Sequence, residues 1–300
     1  MGLTVHYQLS ALQLDTAAAR SLVKEGHALA LRRQRAGEVR RVNAVREDVT
    51  GHPHARQWVM YAVPGQENTF SGIEVRPVEG FLFVVDAGAD CEWLTLGLCR
   101  YPETVTHQGA RVPTKLGGGW RYVGFSKTQY ASLHGWEHFL RCHRAVVESL
   151  AEWRTLGVRV KITDEGEYWP RRSLTMLRRN VGEMNTLVAA AAGAWKDADA
   201  EANGGAKVES PIFRHQHFER LEAEGHAKNG GAIRRVRGEI SRLLARPRPP
   251  ETRRRVLPPK YKMPRIVSLY CADKAQRRRR FRACGPFPNS WRITSRPQRE

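Results

Sequence analysis

Nowhere in these 300 residues do about 20 consecutive apolar side chains occur, the length a membrane-spanning helix needs. The least polar run, Thr186 to Trp195, reaches about half of that. The opening, Met1 to Ser10, has no basic stretch leading into an apolar block, so a secretory leader is not expected. Cysteine is sparse and scattered: Cys91, Cys99, Cys142, Cys271 and Cys284 are odd in number and contain no C-x-x-C pair. That spacing excludes a disulfide framework and fits reduced thiols, so a cytoplasmic location is expected. Two catalytic signatures are also missing. No serine stands in a G-x-S-x-G elbow. Gly117-Gly118-Gly119 and Lys127-Thr128 are separated by strand-like residues, whereas a phosphate loop needs glycine, lysine and Ser/Thr contiguous. Lysine is scarce against arginine, 10 to 40, and the ratio is 6 to 22 within residues 1–225 alone. Arginine is therefore favoured throughout, as in a GC-rich coding sequence, and its abundance in any one segment is a weak sign of phosphate recognition.

What the chain does have is charge in one place. Residues 226–300 hold 22 Lys plus Arg against Glu239, Glu251, Asp273 and Glu300, a net of +18. Residues 1–225 hold 28 basic and 26 acidic side chains, a net of +2, so nearly all of the formal +20 is C-terminal. The composition predicts a globular domain over 1–225, long enough for a large core, followed by a basic tail over 226–300. Within the tail, Ile233, Val236, Ile240, Leu243 and Leu244 predict one amphipathic helix near 232–245, ended by Pro247. The Arg- and Pro-rich stretch from 246 to 264 cannot build a core and reads as extended and disordered.

Residues 3–9 alternate apolar and polar, as a half-buried strand does. Thr16 is the expected cap of a helix over 17–33. Strand-like runs follow at 39–45, 58–63, 72–78, 81–85, 93–98 and 120–125, separated by Gly- and Pro-containing loops. Residues 134–156 then carry Trp136, Phe139, His143, Val146, Val147, Leu150 and Trp153 on one helical stripe, with Gly157 as the stop. A short strand over 158–162 precedes a second long helix capped by Ser173. Its seam is Leu174, Leu177, Val181, Met184, Val188, Ala191 and Trp195. A last short helix is expected over 211–225. The fold class predicted is α+β: a mostly antiparallel sheet from the N-terminal half, covered by two long helices, then the basic, largely irregular tail.

Several runs carry a resemblance. Met1-Gly2-Leu3-Thr4-Val5-His6-Tyr7, Leu96-Gly97-Leu98-Cys99-Arg100-Tyr101-Pro102, Ser126-Lys127-Thr128-Gln129-Tyr130, Phe139-Leu140-Arg141-Cys142-His143, Asp164-Glu165-Gly166 with Tyr168-Trp169, and Ser210-Pro211-Ile212 resemble an uncharacterised, planctomycete-type family of bacterial proteins. The resemblance spans roughly residues 1–225. It implies no activity and no catalytic residues, and it implies a unit complete near Gly225. The cationic remainder is then an added module or read-through sequence.

Two functions are expected from these features. The first is association with nucleic acid, or another polyanion, through the tail without sequence preference. Its contacts would be Arg234, Arg235, Arg237, Arg253, Arg254, Arg255 and the run Arg277, Arg278, Arg279, Arg280, with Tyr261, Tyr270, Phe281 and Trp291 for stacking. The same amphipathic helix is also suited to an acidic groove or an anionic membrane surface. The alternative is a metal-dependent hydrolase. Carboxylates follow the apolar runs 81–85 and 158–162, and strand ends are where hard cations are held. Asp164, Glu165 and His143 are the catalytic candidates, and Asp86, Asp164 and His138 are the candidate ligands for Mg²⁺ or Zn²⁺. No cofactor is otherwise implied. The bland readings are that the acids make turns, that His143 is a satisfied core histidine, and that His134, His138 and Cys142 form an exposed stripe without a ligand. His215 and His217 are read as surface residues.

Overall fold

The computed structural model describes residues 3–62, 70–203 and 209–244. These fall into two compact units that meet in sequence at Gly182–Glu183. The first is built on a six-stranded antiparallel sheet of β1 (Thr4–Ala11), β2 (Arg41–Val42), β5 (Glu79–Asp86), β6 (Leu94–Arg100), β9 (Trp120–Lys127) and β10 (Arg159–Asp164), in the order β10-β1-β9-β6-β5-β2. Two ribbons stand apart from it: β3 (Gln57–Ala62) with β4 (Phe70–Val75), and β7 (Thr104–His107) with β8 (Ala110–Pro113). The helices are α1 (Thr16–Arg35), α2 (Trp136–Glu152), α3 (Leu174–Asn203) and α4 (Phe218–Leu244). The α+β class read from the sequence is therefore the observed one.

The alternation in residues 3–9 does what it promised. Val5, Tyr7 and Leu9 are buried, and so are Ser126, Tyr122 and Val160, which stand opposite them in the ladder or on the same face. α1 is capped by Asp15, whose carboxylate accepts from the Ala18 amide at 2.7 Å, and not by the expected Thr16. Thr16 is already helical, and its hydroxyl donates to Glu79 at 3.1 Å. Gly26 on α1 is required by packing: a Cβ there would lie 2.6 Å from the Trp153 ring. Trp153 in turn stacks on Phe83 of β5 with ring centroids 6.2 Å apart, so the one small residue lets helix, indole and sheet close together. α2 shortens the expected helix at its start, because residues 129–134 form a 3-10 turn. It also ends early, at Glu152, and a 3-10 turn over Trp153–Leu156 carries the chain to Gly157, which is left-handed at φ 78°. The run 39–45 forms only the two-residue β2. The β7–β8 hairpin was not expected at all.

α3 matches the second long helix, with the Met176 amide bonded to the Ser173 hydroxyl at 3.3 Å. Its buried face is wider than the expected seam and leaves the ends of that seam out. Leu174 and Trp195 are 48% and 47% exposed, whereas Leu187, Ala190 and Ala194 are buried. In the second unit Leu187, Ala190, Ala191 and Ala194 surround Ile233 of α4. The helix expected near 232–245 is the C-terminal part of α4, which runs through Gly225 with irregular backbone at Asn229. Gly225 therefore lies inside a helix. Residues 245–300, which carry most of the expected tail, lie outside the described residues.

Candidate functional site

His143 sits on α2 facing β1 and β10, and its side chain is fully enclosed. Its Nδ1 is 2.9 Å from the Thr128 hydroxyl and its Nε2 is 3.2 Å from Asp164 Oδ2. The network assigns the tautomer: Nε2–H donates to the carboxylate and Nδ1 accepts from Thr128. Asp164, the last residue of β10, also accepts from the Gly166 amide at 2.7 Å and the Trp169 amide at 2.9 Å. Burial raises the pKa of this carboxyl, but His143 and the two amides together outweigh it and hold the pKa below the usual carboxylate range. Both side chains show no exposure, so the Thr128–His143–Asp164 chain offers a substrate no access and ties α2 to the sheet. Glu165 does not join it. Its Oε2 accepts from the Thr4 amide at 2.9 Å, and its Oε1 lies 3.5 Å from His6. Of the three catalytic candidates two are brought together, in the arrangement of a satisfied core histidine.

Asp86 ends β5, at the same end of the sheet as Asp164, but β6, β9 and β1 stand between them. The two carboxylates thus stand on non-adjacent strands, each with its own partners. Asp86 is itself engaged: Arg40 donates to Oδ2 at 2.8 Å and the Gly88 amide to Oδ1 at 3.0 Å. His138, the third candidate ligand, has both ring nitrogens in use, with Ala89 O at 3.0 Å from Nε2 and the Arg141 guanidinium at 2.9 Å from Nδ1. Among the described residues no group of three or more His, Cys, Asp or Glu is arranged to hold a metal ion. Asp86, Asp164 and His138 thus occupy separate places, and the expected shared centre is not formed.

The His134, His138, Cys142 stripe is exposed as expected at His134, half-buried at His138 and enclosed at Cys142, where the loop 87–91 covers it. Cys142 is fully buried with its thiol 3.5 Å from Ala87 O and 3.5 Å from His138 Nε2, and His134 pairs with Asp90 at 2.8 Å. A hydrogen bond with Cys91 lowers the Cys142 thiol pKa, burial opposes it, and Arg141 and Arg40 add to the lowering; Cys91 is pushed up. α2 is buried from two sides, by the sheet and by this loop, so its enclosed arc exceeds the one apolar seam. His215 is half-buried and His217 exposed, with the His217 amide on His215 Nδ1 at 3.1 Å.

The other face of the sheet is covered at β6 and β5, where Thr95, Cys99 and Leu82 are buried, and open at β10, β1 and β9. Register places three rows of side chains outward across β10, β1 and β9: Thr163, His6, Phe125; then Lys161, Gln8, Val123; then Arg159, Ser10, Arg121. Phe125 is 54% and Val123 39% exposed, and Arg159, Lys161, Thr163 and His6 are all exposed. The His6 and Phe125 rings are 6.2 Å apart. No acid occupies any of the nine positions. Glu165, beside His6, is the carboxylate at the end of the first row. The alternation of 3–9 and 120–125 announced that these strands have an outer face, but only the register shows that Arg159, Lys161 and Arg121 share it with Phe125.

Of the expected nucleic-acid contacts, Arg234 is exposed on α4. Arg235 and Arg237 lie on the same helix, with side chains outside the described residues. Arg253, Arg254, Arg255 and Arg277–Arg280 lie outside the described residues altogether. No described helix is long and apolar enough to cross a membrane. Compared with known proteins, the chain matches no family model, no curated protein and no solved structure.

Proposed function

We propose that this chain associates with nucleic acid without sequence preference, through its cationic C-terminal segment. The observation that carries the reading is the partition of charge, +18 over residues 226–300 against +2 over the preceding 225. Cations at this density neutralise phosphates and release condensed counterions, a gain that is independent of sequence. The exposed Arg234 on α4 and the aromatic residues Tyr261, Tyr270, Phe281 and Trp291 among the later arginines add groups of the kinds that nucleic acids engage.

Residues 245–300 alone hold 17 Lys plus Arg against 3 acids. Full-length chain and a chain ending at Leu244, which keeps α4 and the packing of Ile233, are to be titrated with a labelled duplex at several salt concentrations. If about eight cations meet phosphates, log K falls with log salt at a slope of roughly −7 in the full chain and at a much shallower slope after the deletion. Equal affinity and equal slope for the two proteins overturn the reading.

A further inference from the structure

We propose that the open face of β10, β1 and β9 is a binding surface for single-stranded nucleic acid, with Phe125 as the stacking platform and the exposed Lys161 and Arg159 as the phosphate contacts, while Arg121, whose guanidinium donates to Lys115 O and Gly117 O, adds only its charge. It deepens the reading that the chain is a nucleic-acid binder and rests on it. Three cations and no carboxylate occupy the nine outward positions, so the face is complementary to a polyanion. A face awaiting another sheet or helix would present an apolar row, whereas here Val123 and Phe125 stand among polar and charged side chains. Successive outward rows along a strand are about 7 Å apart, so the cations lie one and two rows from the Phe125 ring. A base resting on that ring extends its backbone toward Lys161 and then toward Arg159. His6, 6.2 Å from Phe125, supplies a second ring in the same row.

A flat sheet reads unstacked bases and not a duplex, because a ring can stack on a base only where the base's neighbour has been lifted off. The ligand class is therefore the single strand, and it differs from the cationic segment, which is indifferent to strandedness. Gln57 of the β3–β4 ribbon donates to Val123 O at 2.9 Å, which fixes one margin of the surface at β9. Trp58 on that ribbon is 62% exposed and Met60 is 42% exposed, so carbon surface continues beyond the margin.

The test uses the full chain with fluorescence anisotropy on a labelled oligothymidine of about 16 nucleotides and on a duplex of the same length. Phe125→Leu keeps an apolar side chain on an exposed position and removes the ring; Lys161→Glu with Arg159→Glu reverses two charges. Phe125→Leu is expected to weaken the single strand about tenfold and leave the duplex unchanged. The charge reversal is expected to weaken the single strand further and to flatten its salt slope by about 1.4. Wild-type single-strand affinity in both variants overturns the proposal, as does an equal loss for both probes. If the variants act but deletion of 245–300 changes nothing, the sheet surface stands and the cationic segment falls. If deletion acts and the variants do not, the reverse holds. Failure of the full chain to bind either probe overturns both.

Discussion

His143 and Asp164 have the pairing of a catalytic dyad and the burial of a brace, and burial decides between them. A base must reach the proton it abstracts, within about 3 Å or through one water, and neither side chain meets solvent. Removing one partner should therefore cost stability. His143→Leu leaves the Asp164 carboxylate enclosed with only its two amide donors, and roughly 3 kcal/mol of unfolding free energy is expected to be lost in urea titration. The pH dependence follows from the lowered Asp164 pKa. A carboxyl whose folded pKa lies below its unfolded value of about 3.9 contributes stability that is complete above that value and is lost as pH falls through the folded pKa. Asp164→Asn should lower stability near neutrality and flatten the fall between neutral and strongly acid pH. A variant that keeps the wild-type acid limb shows that other carboxylates dominate it. The sequence made His143 legible as a core residue, because it falls on the apolar stripe of α2. It could not show that Thr128 and Asp164 would meet its ring, since those partners come from 15 and 21 residues away through tertiary packing.

At the scale of elements, local periodicity was a good guide wherever one neighbour decides burial. β1 and the apolar stripe of α2 follow their patterns, and Gly157 ends the 3-10 turn after α2 through a left-handed residue as its type suggests. Periodicity misled where two neighbours share a helix: Cys142 is enclosed by loop 87–91, and Trp195 is left exposed while Ala190 and Ala194 are covered. The β7–β8 hairpin escaped notice because its turn is Gln108-Gly109, with φ of 50° and 79°, and glutamine is not a residue that signals positive φ. Small residues mark the tight crossings. A Cβ at Gly225 would collide with Thr186 O and meet Ala190 Cβ at 2.7 Å. Gly225→Val is therefore expected to destabilise the 183–244 unit by about 2 kcal/mol or more, read as reduced helical circular dichroism on heating. Gly225→Val with an unchanged melting curve would show that α4 does not pack on α3 at this point.

For the whole molecule, charge and chemistry are divided. The carboxylates expected to build a centre are paired off with Arg40, Gly88 and His143, while cations are gathered on one sheet face and, in the sequence, in the last 75 residues. Composition alone revealed the second of these gatherings, because a charge run needs no folding to be seen. The first needed the strand register, which brings Arg159, Lys161 and Arg121 together from two distant strands. A protein arranged this way is expected to lose affinity for every nucleic acid steeply as salt rises.

The most direct measurement is ultraviolet crosslinking of the full chain to a uridine oligonucleotide, followed by peptide mapping. The expected result is adducts in peptides from 245–300 and in the peptide of β9 that contains Phe125, with both sets lost at high salt. Adducts confined to other segments, or none at a protein concentration that saturates anisotropy, would contradict it.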